Sequence, residues 1–173
     1  PARSAASQRT TLSIIGPNLA VAGTLSSESD IVVHGQVAQG ITCRVATIGE
    51  TGVVGGEIVA RSVRLLGRCD GPVRAQTAVV GQTAKLGGDL TCGGDVDVMG
   101  DVTGDITGQT ITVQSGARVH GAVHGQAVHV QGTIHGNIEA LDVTIAATAV
   151  IVGNITHNTI AIEKGAVHKG LRP

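Results

Sequence analysis

The chain of 173 residues contains no Phe, Tyr or Trp. Aromatic rings are the platforms on which single-stranded nucleic acids stack, and sugar-binding surfaces favour them as well. The net charge of −1 gives no support for contact with a phosphate backbone. The composition therefore argues against nucleic acid as a partner and weakens the case for a polysaccharide-binding surface.

Long hydrophobic runs are also missing from the sequence. No apolar stretch approaches the roughly 20 residues that a transmembrane helix needs, and the N-terminal residues do not show the pattern of a secretory signal peptide. We therefore expect a protein without a membrane-spanning segment.

A five-residue pattern of the form V-x-G-x-[VIL] recurs along the chain. Its first copy spans residues 21–25 (VAGTL), and a later copy spans residues 119–123 (VHGAV). The copies, three of them imperfect, begin at positions 21, 37, 54, 69, 86, 102, 119, 134, 151 and 168. Such regular spacing is typical of a solenoid, in which each turn covers its apolar face by stacking on its neighbours.

The sequence within each turn predicts β-strands rather than helices. Apolar residues alternate with polar ones, as at Ile111 and Val113, which is the period of a strand with one buried face. No segment carries a 3.6-residue apolar stripe long enough for a helix. The repeat length fits three short strands joined by tight corners, and many of the 26 glycines fall at those corners.

These patterns predict an all-β, single-domain, three-sided parallel β-helix of about ten turns, roughly 48 Å long at the usual strand spacing. Left-handed hexapeptide helices keep a longer and more constant turn than this chain has, so we predict the right-handed form. The β-helix is predicted to span residues 12–170. A flexible N-terminal tail would then occupy residues 1–11, and a C-terminal tail residues 171–173.

The three cysteines do not suggest a disulfide scaffold. Cys69 stands where other repeats have Val or Leu, which predicts a small buried side chain,. Cys43 and Cys92 hold equivalent positions three turns apart, about 14 Å by the strand spacing, which is too far for a disulfide bond. Free thiols suit a reducing cytoplasm.

Histidines are the strongest candidates for chemistry, because five of the seven fall between His120 and His157. His120 and His135 hold equivalent positions on adjacent turns, and we expect both to point outward about 5 Å apart. His124 and His129 are expected on other parts of the contour. A catalytic zinc site needs a third protein ligand and an open position, so we predict no metal site.

The acidic residues and the glycine-rich segments offer weaker candidates. Asp89 and Asp105 are predicted on neighbouring turns, where their mutual repulsion could recruit Ca²⁺,, but the nine-residue repeat of calcium-binding β-rolls is absent. The segment at residues 93–95 (GGD) is not a phosphate loop, because no Lys-Ser or Lys-Thr follows it,. We therefore expect no cofactor, no bound nucleotide and no catalytic residue.

The two ends of the predicted solenoid are the candidate functional surfaces. A β-helix exposes unpaired strand edges and an open apolar bore at each end, and the terminal turns here remain apolar instead of becoming polar as caps do. End-to-end stacking of copies would cover both bores. The predicted contact residues are Leu12, Ile14, Leu19 and Val21 at the N-terminal end and Ile160, Ile162 and His168 at the C-terminal end.

Three segments of the sequence resemble the bactofilin family. Residues 13–25 (SIIGPNLAVAGTL) look like its first turn, residues 30–37 (DIVVHGQV) like its second turn, and residues 160–166 (IAIEKGA) like its closing segment. The likeness extends over roughly residues 12–170. Two features differ: His168 takes the place of a Phe that plugs the exposed core in the family, and residues 1–11 lack the family's short apolar membrane anchor.

The resemblance implies a bacterial cytoskeletal scaffold. Such a protein polymerises without nucleotide into nonpolar filaments through head-to-head and tail-to-tail contacts. The resemblance also implies a cytoplasmic position at the inner face of the cell membrane, contact with the membrane through the N-terminal tail, and a role in cell shape or in placing membrane proteins and cell-wall enzymes.

Two other functions compete with a structural polymer. A β-helical enzyme of the acyltransferase or carbonic-anhydrase type would use His120, His124 or His135, but that class needs an 18-residue left-handed repeat and commonly a projecting loop that carries the histidine. A polysaccharide-binding module would use a flat β face, but it would lack aromatic platforms. The sequence favours the structural polymer over both.

Overall fold

A computed structural model describes residues 12–170 of the chain, which form 27 β-strands and no helix. The predicted tails at residues 1–11 and 171–173 lie outside the described residues. Every strand pairing is parallel, and the strands form three stacks that run the length of the molecule. The prediction of an all-β parallel solenoid is confirmed.

The first stack contains ten strands, and each pairs in register with the strand one turn further along. Its strands number the turns used below, so that β1 belongs to the first turn and β26 to the tenth. They are Leu12–Ile15 (β1), Asp30–Val33 (β4), Val45–Ile48 (β7), Ser62–Leu65 (β10), Thr77–Val80 (β13), Asp95–Val98 (β16), Thr110–Val113 (β19), the second half of Val123–Val130 (β21), the second half of Ile138–Ile145 (β23) and Thr159–Ile162 (β26).

The second stack is a separate sheet of ten strands. They are Ala20–Val21 (β2), Gln36–Val37 (β5), Val53–Val54 (β8), Arg68–Cys69 (β11), Lys85–Leu86 (β14), Asp101–Thr103 (β17), Arg118–His120 (β20), Thr133–His135 (β22), Val150–Val152 (β24) and Val167–Lys169 (β27).

The third stack joins the first around one corner, because β21 and β23 continue through that corner and the two stacks form one sheet of 17 strands. Besides the first halves of β21 and β23, its strands are Leu25–Ser26 (β3), Ile41–Thr42 (β6), Ile58–Val59 (β9), Val73–Ala75 (β12), Leu90–Cys92 (β15), Ile106–Thr107 (β18) and Ile155–Thr156 (β25). The chain therefore completes about nine turns and begins a tenth, close to the predicted number. The right-handed sense of the coil stays a prediction.

The pairing register confirms the sequence repeat residue by residue. The first residues of the ten copies form one continuous column in the second stack, from Val21 paired with Val37 to Ile151 paired with His168. Cys69 lies in this column between Val54 and Leu86 and is fully buried, as predicted. Successive copies of the repeat begin at unequal distances along the sequence. The additional residues of the longer turns lie at corners, so the strands of consecutive turns keep the same register.

The bore of the solenoid is packed with aliphatic side chains. Buried Val, Ile and Leu residues form one continuous core, and no polar or charged residue among the described residues is buried with them. Alternate residues of each strand face the bore, as in β19, where Ile111 and Val113 are fully buried between more exposed neighbours. Flat, branched side chains stack in such columns, which is why the absence of aromatic residues suits this fold.

At one corner of the solenoid nearly every turn has a glycine in the same column, and consecutive turns meet there backbone to backbone. A Cβ added at Gly121 would overlap the carbonyl oxygen of Gly104, and one added at Gly136 would overlap that of Gly121. Gly121 also has a φ of +151°, which L side chains rarely adopt. At Gly121 the G of the repeat is therefore required by both the close approach and the backbone conformation.

Candidate assembly surfaces

Both ends of the solenoid present unpaired strand edges. Within residues 12–170, β1, β2 and β3 pair only with the strands of the following turn. At the other end, β25, β26 and β27 pair only with the strands of the preceding turn. Free N–H and C=O groups along such edges are templates for pairing with another chain. No helix covers either end among the described residues.

The N-terminal bore is lined by residues of the first turn. Val21 and Leu25 are half-buried and pack against the core. Leu19 lies two residues before Val21, in a column that later contains Ala84 and Ala117, both fully buried. Leu19 itself is 52% exposed, because within residues 12–170 no turn precedes it. A large apolar side chain thus stands at the open end of a column that elsewhere admits only small residues.

One of the predicted N-terminal contact residues, Ile14, lies differently. The register pairs Ile14 with Val32 and Ile15 with Val33, and Val33 faces the bore. Ile14 therefore projects from the outer face, where it is 62% exposed, and the inward residue is Ile15, which is 6% exposed. Leu12 pairs through its backbone with Asp30, and its side chain lies outside the described part of the molecule.

The C-terminal bore is lined by the predicted residues Ile160 and Ile162. They pair with Val143 and Ile145, both buried, so they occupy inward columns. Ile160 is half-buried against the core, whereas Ile162 is 38% exposed at the open end. The last turn therefore offers an apolar surface that the next turn would cover if the solenoid continued.

His168 closes the second stack at the C-terminal end. It occupies the inward column of Ile151 and is half-buried. Its Nε2 lies 3.1 Å from the carbonyl oxygen of Gly153, an acceptor, so the imidazole donates this hydrogen bond. This hydrogen bond anchors the side chain to the preceding turn, in the place where the resemblance expects a Phe.

A second histidine at this end was not anticipated from the sequence. His157 lies two residues beyond Ile155, the position that Cys43 and Cys92 hold in their own turns, and those two thiols are buried. Its Nδ1 is buried without a hydrogen-bond partner among the described residues. The shared position with two buried cysteines was the signal that it would face inward. The C-terminal end is therefore more polar than the N-terminal end.

The surface histidines lie where the sequence predicted them. His120 and His135 pair on adjacent turns with ring centroids 5.0 Å apart. His124 lies on another face, and its Nδ1 is 3.1 Å from Oε2 of Glu139. Within residues 12–170, no three His, Cys, Asp or Glu side chains converge on a point where a metal ion could bind.

We expect metal chelation to leave the protein unchanged, because the paired histidines have no third convergent ligand,. The melting temperature measured by circular dichroism should be the same with and without EDTA, and metal analysis should find no stoichiometric zinc. Zinc at one equivalent, together with a lower melting temperature after chelation, would contradict this prediction.

The acidic column supports the corner backbone. Oδ1 of Asp89 accepts a hydrogen bond from the N–H of Asp105 at 3.0 Å, and Oδ1 of Asp105 accepts one from Ala122 at 2.8 Å. Asn137 makes the same contact with the N–H of Asn154 at 3.2 Å. These side chains satisfy N–H groups of the next turn at the glycine corner, which gives them a structural role without a cation.

The cysteine thiols are inert in the folded protein. Cys43, Cys69 and Cys92 are free and buried. Burial raises the pKa of each of these thiols to about 11, so the reactive thiolate is scarce at neutral pH. The prediction that Cys69 serves as a small core side chain is confirmed.

Comparison with known proteins places this arrangement in a family. The family model described as "Bactofilin: Polymer-forming cytoskeletal" matches residues 13–93 and residues 78–172, so the two matches together cover residues 13–172. No curated protein and no solved structure matches the chain. Within residues 12–170 there is no helix of the length and apolarity that crossing a membrane requires.

Proposed function

The chain belongs to the bactofilin family of polymer-forming cytoskeletal proteins, and on that premise we propose that its copies stack end to end, without nucleotide, into unbranched nonpolar filaments. The family is a structural one, so the chain is a cytoskeletal polymer and not an enzyme. Membership of this polymer-forming family implies that copies of the chain associate with one another. Its arrangement through the two ends is our proposal.

The observation that carries the proposal is the pair of open ends. Each end has three unpaired strand edges and an uncovered bore within the described residues. Stacking would let the hydrogen-bond ladders continue from one copy to the next. It would also remove half-exposed aliphatic side chains such as Leu19 and Ile162 from water, with a gain on the order of 1 kcal/mol for each.

The two ends differ, which favours contacts between like ends. The N-terminal end is aliphatic around Leu19 and Val21, whereas the C-terminal end has His168 and His157 beside Ile162. A contact between two like ends has two-fold symmetry, so each group meets the same patch on its partner. The strands on either side of such a junction run antiparallel, an arrangement that β-ladders form readily. Alternating contacts of the two kinds would produce a nonpolar filament.

We propose further that the filaments act at the inner face of the bacterial cell membrane. There they would support cell shape or position membrane proteins and cell-wall enzymes. The resemblance to bactofilins supports this role. The contact residues that we propose for assembly are Leu19 and Val21 at one end and Ile160, Ile162 and His168 at the other.

The test is polymerisation of the purified chain in the absence of nucleotide. Negative-stain electron microscopy should show thin unbranched filaments, and high-speed sedimentation should pellet the protein equally with and without added ATP or GTP. A protein that carries its native termini and stays monomeric at micromolar concentration across a range of salt would contradict the proposal.

A further inference from the structure

The outer face of the first stack carries a charge pattern that is complementary to itself. The fourth turn has Arg61 and Arg64, both exposed, and the sixth turn has Asp95 and Asp97. The strand between them, Thr77–Val80 (β13), has no charge. Arg64 pairs with Val79, and Val79 pairs with Asp97, so these three residues form one outward column along the solenoid axis.

Within the described part of the molecule, these four charged side chains form no ion pairs. Other arginines on the surface do: Arg68 pairs with Asp70 and Arg74 with Glu57. Oδ1 of Asp97 accepts a hydrogen bond from Nε2 of Gln114 at 3.1 Å. That bond fixes the direction of the carboxylate without neutralising it.

We propose that this face, around residues 61–64, 77–80 and 95–97, pairs two copies of the chain side by side in antiparallel orientation. The two-fold axis runs along β13. A half-turn about this axis reverses the direction of the solenoid axis in the second copy. Each column of outward-facing residues still faces the same column of the other copy. Arg64 of one copy then faces Asp97 of the other and Val79 faces Val79, while Asp95 faces Ser62, the residue next to Arg61. Both copies contribute the same contacts, as in other isologous interfaces.

The charges also select the orientation. Parallel pairing of the same faces would bring the two arginines of the fourth turn against the arginines of the other copy, and the two aspartates of the sixth turn against aspartates. Like charges in contact are destabilising, so antiparallel pairing is preferred. The contact lies on the side of the solenoid and leaves both ends free for the stacking proposed above.

A single contact of this kind is weak, since exposed ion pairs contribute little on their own. In a filament the same contact recurs along the polymer, and linked contacts bind far more tightly than separate ones. We therefore expect two filaments to lie side by side at low ionic strength. At high salt, where exposed charges are screened, they should separate into single filaments that remain intact.

Charge reversal tests the pairing directly. Arg64→Asp or Asp97→Arg alone should abolish paired filaments in negative-stain images at low ionic strength, while single filaments persist. The double variant Arg64→Asp/Asp97→Arg should restore them, because it exchanges the two partners. The matched control is Arg118→Asp, the same change on the second stack, which should keep paired filaments. Pairs that survive both single reversals, or a double variant without pairs, would overturn the proposal.

A cross-linking measurement locates the two-fold axis. Val79→Cys should give covalent dimers with a short bis-maleimide that bridges the roughly 10 Å between packed sheet faces. Thr112→Cys should not, since its counterpart would lie four turns away, about 19 Å along the axis. The wild-type chain is the blank, because its three thiols are buried. Dimers from Thr112→Cys but not from Val79→Cys would refute the antiparallel register.

The two proposals fail separately in these experiments. If single filaments form but Val79→Cys gives no dimers, the proposed lateral contact is wrong and end-to-end stacking is retained. If Val79→Cys gives dimers but the protein forms no filaments, the proposed end-to-end stacking is wrong and the lateral contact is retained.

Discussion

Ile162→Arg will stop assembly at a dimer joined through the N-terminal ends. Ile162 lies in the inward column of Ile145 at the open C-terminal bore. A guanidinium there must lose its water when a second copy stacks on it, at a cost of several kcal/mol. We expect the concentration needed for filaments to rise roughly a hundredfold or more. Analytical ultracentrifugation should detect a dimer.

Leu19→Arg is the equivalent substitution at the N-terminal end and should leave a dimer joined through the C-terminal ends. The double variant should be monomeric. Folding should survive in all three, because each turn contacts only its neighbours, and circular dichroism checks this. His120→Ala, on the outer face at mid-chain, is the control and should form normal filaments. Normal filaments from both end variants would show that the ends are not the assembly surfaces.

Gly121→Ala will produce a large loss of stability although it adds only one methyl group. The added Cβ would overlap the Gly104 carbonyl oxygen, and the residue would have to keep a φ of +151°. The backbone conformation costs on the order of 1–3 kcal/mol, and overpacking costs about as much again. The free energy of unfolding, from denaturant titration of the end-blocked double variant, should fall by this sum.

Gly93→Ala is the matched control in that same background. A Cβ at Gly93 has no atom within 4 Å, so we expect a change within roughly 0.5 kcal/mol. If both glycine variants lose the same stability, close stacking at the glycine corner does not explain the repeat.

Much of the fold could be predicted because the repeat is regular. The column from Val21 to His168 follows from the spacing of one motif, and the contact between His120 and His135 follows from equal positions on adjacent turns. In a solenoid, positions that are equivalent in sequence become neighbours in space. In a globular fold, by contrast, residues that are distant in sequence come into contact without a repeat that predicts which ones meet.

The ends were harder to predict, because a terminal turn lacks the neighbour that fixes its register. Leu12, Ile14 and Ile15 are all apolar, so alternation alone allows either set to face inward. The pairing of Ile15 with Val33 decides it and turns Ile14 outward.

The central claim is that copies stack along the solenoid axis, and electron cryo-microscopy of the filaments tests it most directly. The account predicts strands perpendicular to the filament axis, with a spacing of roughly 4.8 Å that continues through every junction, and one subunit for each 45 Å or so of length. Filaments in which the solenoids contact each other only by their sides, with the two ends left open, would contradict it.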